Sequence, residues 1–148
     1  MTIKEERMNL FDVPQGYYLA HCVSADFALG AGIAKQFDEI YDMKLKLNMF
    51  FPIDPDTKYD KYNIGTALLV DNVFNLVTKP RGYHKPRYKD LYTALEDMKE
   101  QCTSLYIKKL AMPLIGCGLD GLDWNRVKDM IEEIFKDTDV ELWRFDKG

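Results

Sequence analysis

The stretch Ala111-Met112-Pro113-Leu114-Ile115-Gly116-Cys117-Gly118-Leu119-Asp120 constrains the fold more than any other part of the chain. It begins as an apolar run and ends in two glycines and a carboxylate. Leu122-Asp123-Trp124 follows, and Val127, Ile131 and Ile134/Phe135 then recur at helical spacing. Strand, glycine turn, acid, helix is the order of a βα unit in an α/β protein. In such proteins ligands gather at the carboxyl ends of strands, where glycine lets backbone N–H groups approach an anion. Gly116 and Gly118 are placed for that, and Asp120 hangs over the same edge. A lone glycine turn also serves plain backbone geometry, so it needs a second signal.

The second signal lies upstream. Tyr17-Tyr18-Leu19-Ala20-His21-Cys22-Val23 is a compact apolar run and reads as a buried strand. It leads through Ser24-Ala25-Asp26-Phe27-Ala28 into Leu29-Gly30-Ala31-Gly32-Ile33-Ala34. From Gly32 the period becomes helical, with Ile33, Phe37, Ile40/Tyr41 and Leu45 on one face. Tight packing of helix on sheet explains Gly32. The pair Gly30/Gly32 is better explained by a helix start left open for an anion.

The remaining segments complete an α/β pattern. Residues 2–11 read as a short charged edge strand, with a turn at Asp12-Val13-Pro14, and 48–63 read as a surface loop. Ala67 to Val70 and Val73 to Thr78 form a hairpin about Asp71-Asn72, ending at Lys79-Pro80. Pro86 precedes a helix with Leu91, Leu95, Met98 and Cys102 on one face, and Tyr106 to Leu114 is a strand. Asp123 is placed to cap the last helix. Val140 to Phe145 alternates as a closing strand. The order β-β-α-β-β-α-β-α-β predicts a mixed central sheet sandwiched between helices, with residues 1–148 as one domain.

Composition removes several functional classes. A net charge of −4 and a pI near 5.2 disfavour a polyanion partner, so any phosphate site must be local. Cys22, Cys102 and Cys117 show no metal spacing and cannot all pair, which points to a reducing compartment and no disulfide framework. The first residues lack a signal-peptide core, and no run approaches the roughly 20 apolar residues of a membrane span. The expected location is cytoplasmic, or nuclear in a eukaryote. No helix is apolar all round, so a monomer is expected.

Two stretches together resemble a known family. His21 to Asp26 followed by Leu29 to Ala34 is similar to the first ligand loop of a macrodomain, and Met112 to Asp120 to its diphosphate loop. Thr78-Lys79 and His84-Lys85-Pro86 resemble the branch that contains the terminal ADP-ribose protein glycohydrolase, which removes ADP-ribose from acidic side chains. The resemblance runs from Asn9 to the last strand. It implies an ADP-ribose cleft at the carboxyl ends of the sheet, with no cofactor and no metal. Gly30, Ala31, Gly32, Ile33 and Ala34 should line the distal ribose and diphosphate. Pro113, Ile115, Gly116, Cys117, Gly118 and Leu119 should wrap it from the other side, with Cys117 structural rather than nucleophilic. Relatives place an acid near the adenine amino group. Here Asn9, followed by Leu10, holds that place and offers an amide oxygen without the charge. His21 and Ser24 join the candidate contacts, though His21 suits a packed strand better than a general base and Ser24 suits a turn cap. The Tyr-rich segment 59–62 is a candidate flank of the cleft.

In that branch catalysis depends on a lysine and an aspartate, which map onto Lys79 and Asp120. The implied chemistry is attack by Lys79 on the anomeric carbon of the opened distal ribose, with Asp120 moving protons. A lysine attacks as its neutral amine, and from a reference pKa near 10.4 that form costs roughly 4–5 kcal/mol at pH 7. Three other activities share the pocket. One is a phosphatase for ADP-ribose 1″-phosphate with His21 or Asp120 as base. Another is a reader that only binds ADP-ribose or ADP-ribosylated proteins. The last is removal of ADP-ribose from nucleic acid bases. The cations Lys79, Arg81, His84, Lys85, Arg87 and Lys89 permit that last activity, but the net acidity ranks it low. Most of that basic cluster reads as a solvated loop.

Overall fold

Two strands with apolar side chains on both faces commit this chain to a sheet covered on each side. In the computed structural model, which describes residues 3–58 and 63–145, these strands are β2 (Tyr18–Ser24) and β4 (Val73–Lys79). The other elements, in chain order, are β1 (Ile3–Glu6), α1 (Gly32–Tyr41), α2 (Met43–Phe50), β3 (Ala67–Val70), α3 (Tyr88–Leu105), β5 (Lys109–Met112), α4 (Trp124–Phe135) and β6 (Glu141–Phe145). They build one six-stranded sheet of order β1-β6-β5-β2-β4-β3. The β3–β4 hairpin is antiparallel, while β1–β6, β6–β5, β5–β2 and β2–β4 are parallel.

Alternation along β4 divides the core in two. Phe74 and Leu76 point to one face, where α3 supplies Leu91, Leu95 and Met98 and α4 supplies Val127, Ile131 and Phe135. Val73 and Val77 point to the other, where α1 supplies Phe37 and α2 supplies Met43 and Leu47. Burial of these side chains, at about 25 cal/mol per Å² of apolar surface, is the main term favouring the fold. Because β2, β4 and β5 are parallel, their carboxyl ends share one edge. The segments that follow them therefore meet there.

The helix expected to run on through Leu45 is two helices. Asp42 adopts a left-handed conformation (φ 53°), ends α1 through its N–H to Asp38 O at 2.9 Å, and begins α2. The break rotates the pattern, so Met43 and Leu47 are buried and Leu45 is exposed. Helix α2 also takes residues 48–50 from the expected loop. Residues 10–12 form one turn of 3-10 helix rather than the end of an edge strand. The fifth strand is shorter than expected, because Tyr106 caps α3 in a left-handed conformation (φ 57°). Segment 59–62 lies outside the described residues. Among the described residues no helix is long and apolar enough to cross a membrane.

Candidate active site

The first loop is held by β4. The β2–β4 register shifts between Val23 and Ser24, which brings Ser24 opposite Lys79. Such a bulge re-aims the side chains beyond it. Ala25 N–H then donates to Lys79 O at 2.8 Å and Asp26 N–H to Pro80 O at 3.1 Å. Ser24 Oγ donates to Asp26 Oδ1 at 2.5 Å, and Ala28 N–H to the same oxygen at 3.3 Å. Phe27 (φ 51°) and Leu29 (φ 44°) follow in left-handed conformations, unusual for bulky residues, with both side chains buried. Their burial holds a strained turn in place. The turn delivers the chain to α1, whose N-cap is Ala31 and has no side-chain cap. The first-turn N–H groups of a helix have no intrahelical partner, and among the described residues no side chain caps them, which suits an anion.

The second loop follows β5. Gly116 has φ 73°, and a Cβ there would lie 2.9 Å from Leu122 Cδ1, so only glycine fits without a shift. Leu122 N–H closes the loop on Gly116 O at 2.8 Å, and Asp123 caps α4 by accepting from Asn125 N–H at 3.0 Å. The two glycine loops come close to each other, since a Cβ on Gly32 would lie 3.4 Å from Leu119 Cδ1.

Two lysines tie the second loop to the segment after β4. Lys79 Nζ donates to Asp120 Oδ1 at 2.5 Å, with 13% and 17% of the two side chains exposed. Lys85 Nζ donates to Leu119 O at 2.6 Å. Between the loops is a cleft of about 640 Å³. Its wall brings together Ser24, Gly30, Ala31, Gly32, Ile33, Ala34, Lys79, Pro113, Ile115, Gly116, Gly118, Leu119 and Asp120. Sequence reasoning missed Gly82 and Tyr83, and it placed His84 and Lys85 in a family motif within a basic cluster read mostly as solvated loop; all four are also in the wall. The only sequence signal for these was the His84-Lys85-Pro86 motif.

Four expected contacts are elsewhere. His21 is a correction. It is fully buried below the cleft, stacked on Phe37 at 3.9 Å between ring centroids. Its Nε2 lies 2.6 Å from Asn75 Oδ1. Asn75 Nδ2 donates to Leu68 O, so Nε2 is the donor of that pair. Burial pulls the His21 pKa down to about 4, against a small opposing effect of Asn75, so the ring is neutral at pH 7. It is not part of the cleft wall. Asn9 is turned to its own backbone, accepting from Phe11 N–H at 2.9 Å, and Leu10 is a core residue. Neither is in the cleft wall. Cys117 turns its thiol to Ile115 O at 3.2 Å, outside the wall.

Burial disfavours the thiolate at both cysteines beside the cleft. Burial, with the Asp120 carboxylate adding to it, raises the Cys22 pKa well above the ordinary thiol range. Burial also pushes Cys117 up to about 11. Thiolate, not thiol, attacks. Among the described residues no group of three or more His, Cys, Asp or Glu could hold a metal. What remains at the bottom of the cleft is an amine bonded to a carboxylate, next to uncapped helix N–H groups.

These features belong to a class. The Macro domain family model matches residues 20–131, and the chain belongs to the macrodomain family. It is 37% identical over 141 residues to the ADP-ribose glycohydrolase OARD1 of Homo sapiens, covering 90% of this chain and 84% of that protein. It is 25% identical over 149 residues to the DNA ADP-ribosyl glycohydrolase of Thermus aquaticus, covering 95% of this chain but 40% of that one. The solved macrodomain of Thermus aquaticus DarG has the same fold, with a TM-score of 0.80, 24% identity and 98% of both chains covered. The mixed sheet between helices read from the sequence is thus the macrodomain fold.

Proposed function

We propose that the cleft binds ADP-ribose and hydrolyses its ester to acidic side chains, with Lys79 as nucleophile and Asp120 as its proton partner. The observation that carries this reading is the 2.5 Å contact between Lys79 Nζ and Asp120 Oδ1 at the junction of two glycine loops. The diphosphate lies between the α1 N-terminus and the 116–119 loop, where N–H groups and the positive helix end meet its charge. That placement sets the distal ribose against Lys79.

The steps follow from these positions. The ammonium of Lys79 gives a proton to Asp120, the acceptor it already contacts. The free amine attacks the anomeric carbon of the closed distal ribose, an N–C bond forms, and the C–O bond to the acceptor carboxylate breaks. The carboxylate departs with the bonding pair. Asp120 gives its proton to that carboxylate, and the ring C–O bond opens as a proton passes from nitrogen to the ring oxygen, leaving an iminium on Lys79. Asp120 then takes a proton from the water that adds to the iminium carbon and passes it to the nitrogen. The N–C bond breaks to leave the aldehyde of ADP-ribose, and the amine takes the proton of the new hydroxyl and is again an ammonium. The products are ADP-ribose and the free acidic side chain. The free thiols Cys22, Cys102 and Cys117 fit a reducing compartment, the cytoplasm or nucleus.

The test is a purified protein carrying glutamate-linked ADP-ribose, run beside ADP-ribose 1″-phosphate, with Lys79→Ala and Asp120→Ala in parallel. Release of ADP-ribose from protein, lost in both variants, supports the glycohydrolase. Release of phosphate alone gives the phosphatase, which Asp120 must then serve as base because His21 is sealed in the core. Binding of ADP-ribose without either product leaves a reader.

A further inference from the structure

A second hollow, of about 390 Å³, opens beside Lys79. Lys79, His84 and Lys85 belong to the walls of both cavities, so the two share a wall at the nucleophile. Any substrate of this reaction has two parts, the ADP-ribose and the group to which it is joined. With the ADP-ribose in the larger cleft and its anomeric carbon at Lys79 Nζ, the acceptor must sit in the space on the other side of that amine. The smaller hollow adjoins that amine.

Its wall carries Lys79, His84, Lys85 and Arg87 against one carboxylate, Asp90, so cationic groups outnumber acidic ones. Lys85 donates to a backbone carbonyl and has no carboxylate partner among the described residues. Arg87 holds Asp90 through Nε at 2.9 Å and Nη2 at 3.3 Å, with 72% of its side chain exposed. Arg87 is also the N-cap of the eighteen-residue helix α3 and gives that end no side-chain cap, so a positive helix end faces the same place. Thr78 is the independent sign of a ligand. It is 1% exposed and forms part of the hollow's wall. Its buried Oγ1 has no hydrogen-bond partner among the described residues. A buried hydroxyl without a partner is costly, and an oxyanion in the hollow would accept from it.

We propose that this hollow is the acceptor subsite, and that it selects protein acceptors in which a second carboxylate lies beside the ADP-ribosylated acidic side chain. The proposal rests on the glycohydrolase reading above. A protein acceptor is favoured over nucleic acid because a net charge of −4 repels a polyanion at range, while one neighbouring carboxylate needs only the local field of Lys85, Arg87 and the helix end.

The test uses the full chain and two synthetic peptides, each with one glutamate-linked ADP-ribose. One peptide is flanked by glutamates and the other by glutamines. An ADP-ribosylated oligonucleotide is the third substrate, and ADP-ribose affinity is measured by calorimetry for every variant. The wild type should prefer the glutamate-flanked peptide in kcat/KM by about fivefold at low salt, a preference that shrinks as salt rises. Arg87→Glu should abolish or invert the preference while ADP-ribose affinity stays the same. Thr78→Val, which removes only the hydroxyl, should reduce it. Equal turnover of both peptides by the wild type overturns the subsite and leaves the glycohydrolase standing. No turnover of either peptide removes both. An oligonucleotide cleaved faster than both peptides, with that rate falling in Arg87→Glu, gives the hollow to a phosphodiester acceptor and overturns the protein assignment.

Discussion

Two polar residues of β2 face partners on β4, and they teach opposite lessons. His21 pairs with Asn75 in the middle of the ladder, and Ser24 pairs with Lys79 at its end. The first pair is sealed between the sheet and Phe37, and burial keeps the imidazole neutral. Past the bulge that follows Val23, the second position opens on the cleft, and Lys79 reaches across it to Asp120. The residue type most associated with catalysis is thus structural, and an ordinary strand-end lysine carries the proposed chemistry. Position along a parallel strand decides between them, because only the carboxyl edge receives the ligand loops.

The comparison breaks first at Lys79. Lys79→Ala should lower turnover of glutamate-linked ADP-ribose by about 10³-fold or more, since the nucleophile is gone. Its midpoint of thermal unfolding should fall by a few degrees, because the largely buried Asp120 carboxylate loses its partner, but the fold should survive. Trapping the iminium of the wild-type reaction with cyanoborohydride should add the mass of ADP-ribose less one oxygen to the tryptic peptide that carries Lys79. Turnover with no such adduct, or a fully active Lys79→Ala, ends the covalent mechanism. Asp120→Asn follows, with a loss of about 10²–10³-fold in kcat and little change in ADP-ribose affinity. A large loss of affinity instead would show that Asp120 holds the ligand rather than the proton.

His21 should give the reverse profile. Its folded pKa is about 4 against 6.5 for the free side chain, so the unfolded chain binds more protons between those values. Stability therefore rises with pH across that window: the contribution is complete above 6.5 and is lost as pH falls towards 4. The shift corresponds to about 3 kcal/mol. Denaturant unfolding at pH 7 and at pH 4.5 should show this loss in the wild type and a smaller one in His21→Gln. At pH 7 that variant should keep its kcat. A kcat that collapses in His21→Gln while the fold survives would return His21 to the reaction.

The same contrast shows what was legible in the chain beforehand. The βα units, the hairpin and the Asp123 cap follow from apolar period, turn residues and capping chemistry, all local properties. The break at Asp42 was not readable, because Ile33, Phe37, Tyr41 and Leu45 fit one unbroken helix, and it is Met43 and Leu47 that the sheet buries. Within the cleft, the two glycine loops were readable because glycine marks backbone that must come close. Lys79 was singled out by motif, not by any physical signal in its neighbours. Lys85 and Tyr83 look like surface residues in the chain. Only the fold brings Lys85 to Leu119 O and Tyr83 into the wall. The packed-strand reading of His21 agrees with its burial, while its place among the candidate contacts followed from the motif and not from depth, which sequence does not give.

The glycine loop sharpens the comparison at its smallest scale, since Gly116 and Gly118 look alike in sequence. Gly116 has a positive φ, and a side chain there would meet Leu122 Cδ1 at 2.9 Å and Leu91 Cδ2 at 3.4 Å. Gly116→Ala should destabilise the protein by about 1–2 kcal/mol, through backbone strain and displacement of Leu122. Its ADP-ribose affinity should fall as well, because Leu122 N–H anchors the loop on Gly116 O. A Cβ on Gly118 meets nothing within 4 Å and its backbone is in an ordinary region. Gly118→Ala should leave stability within about 0.5 kcal/mol. Any change it makes should appear only in ligand affinity, where an added methyl stands between the loop and the diphosphate. Chemical denaturation and calorimetry on the two variants separate these outcomes. Equal loss of stability in both would mean that Gly118 is structural too, and that the loop is held by its own packing rather than left free for an anion.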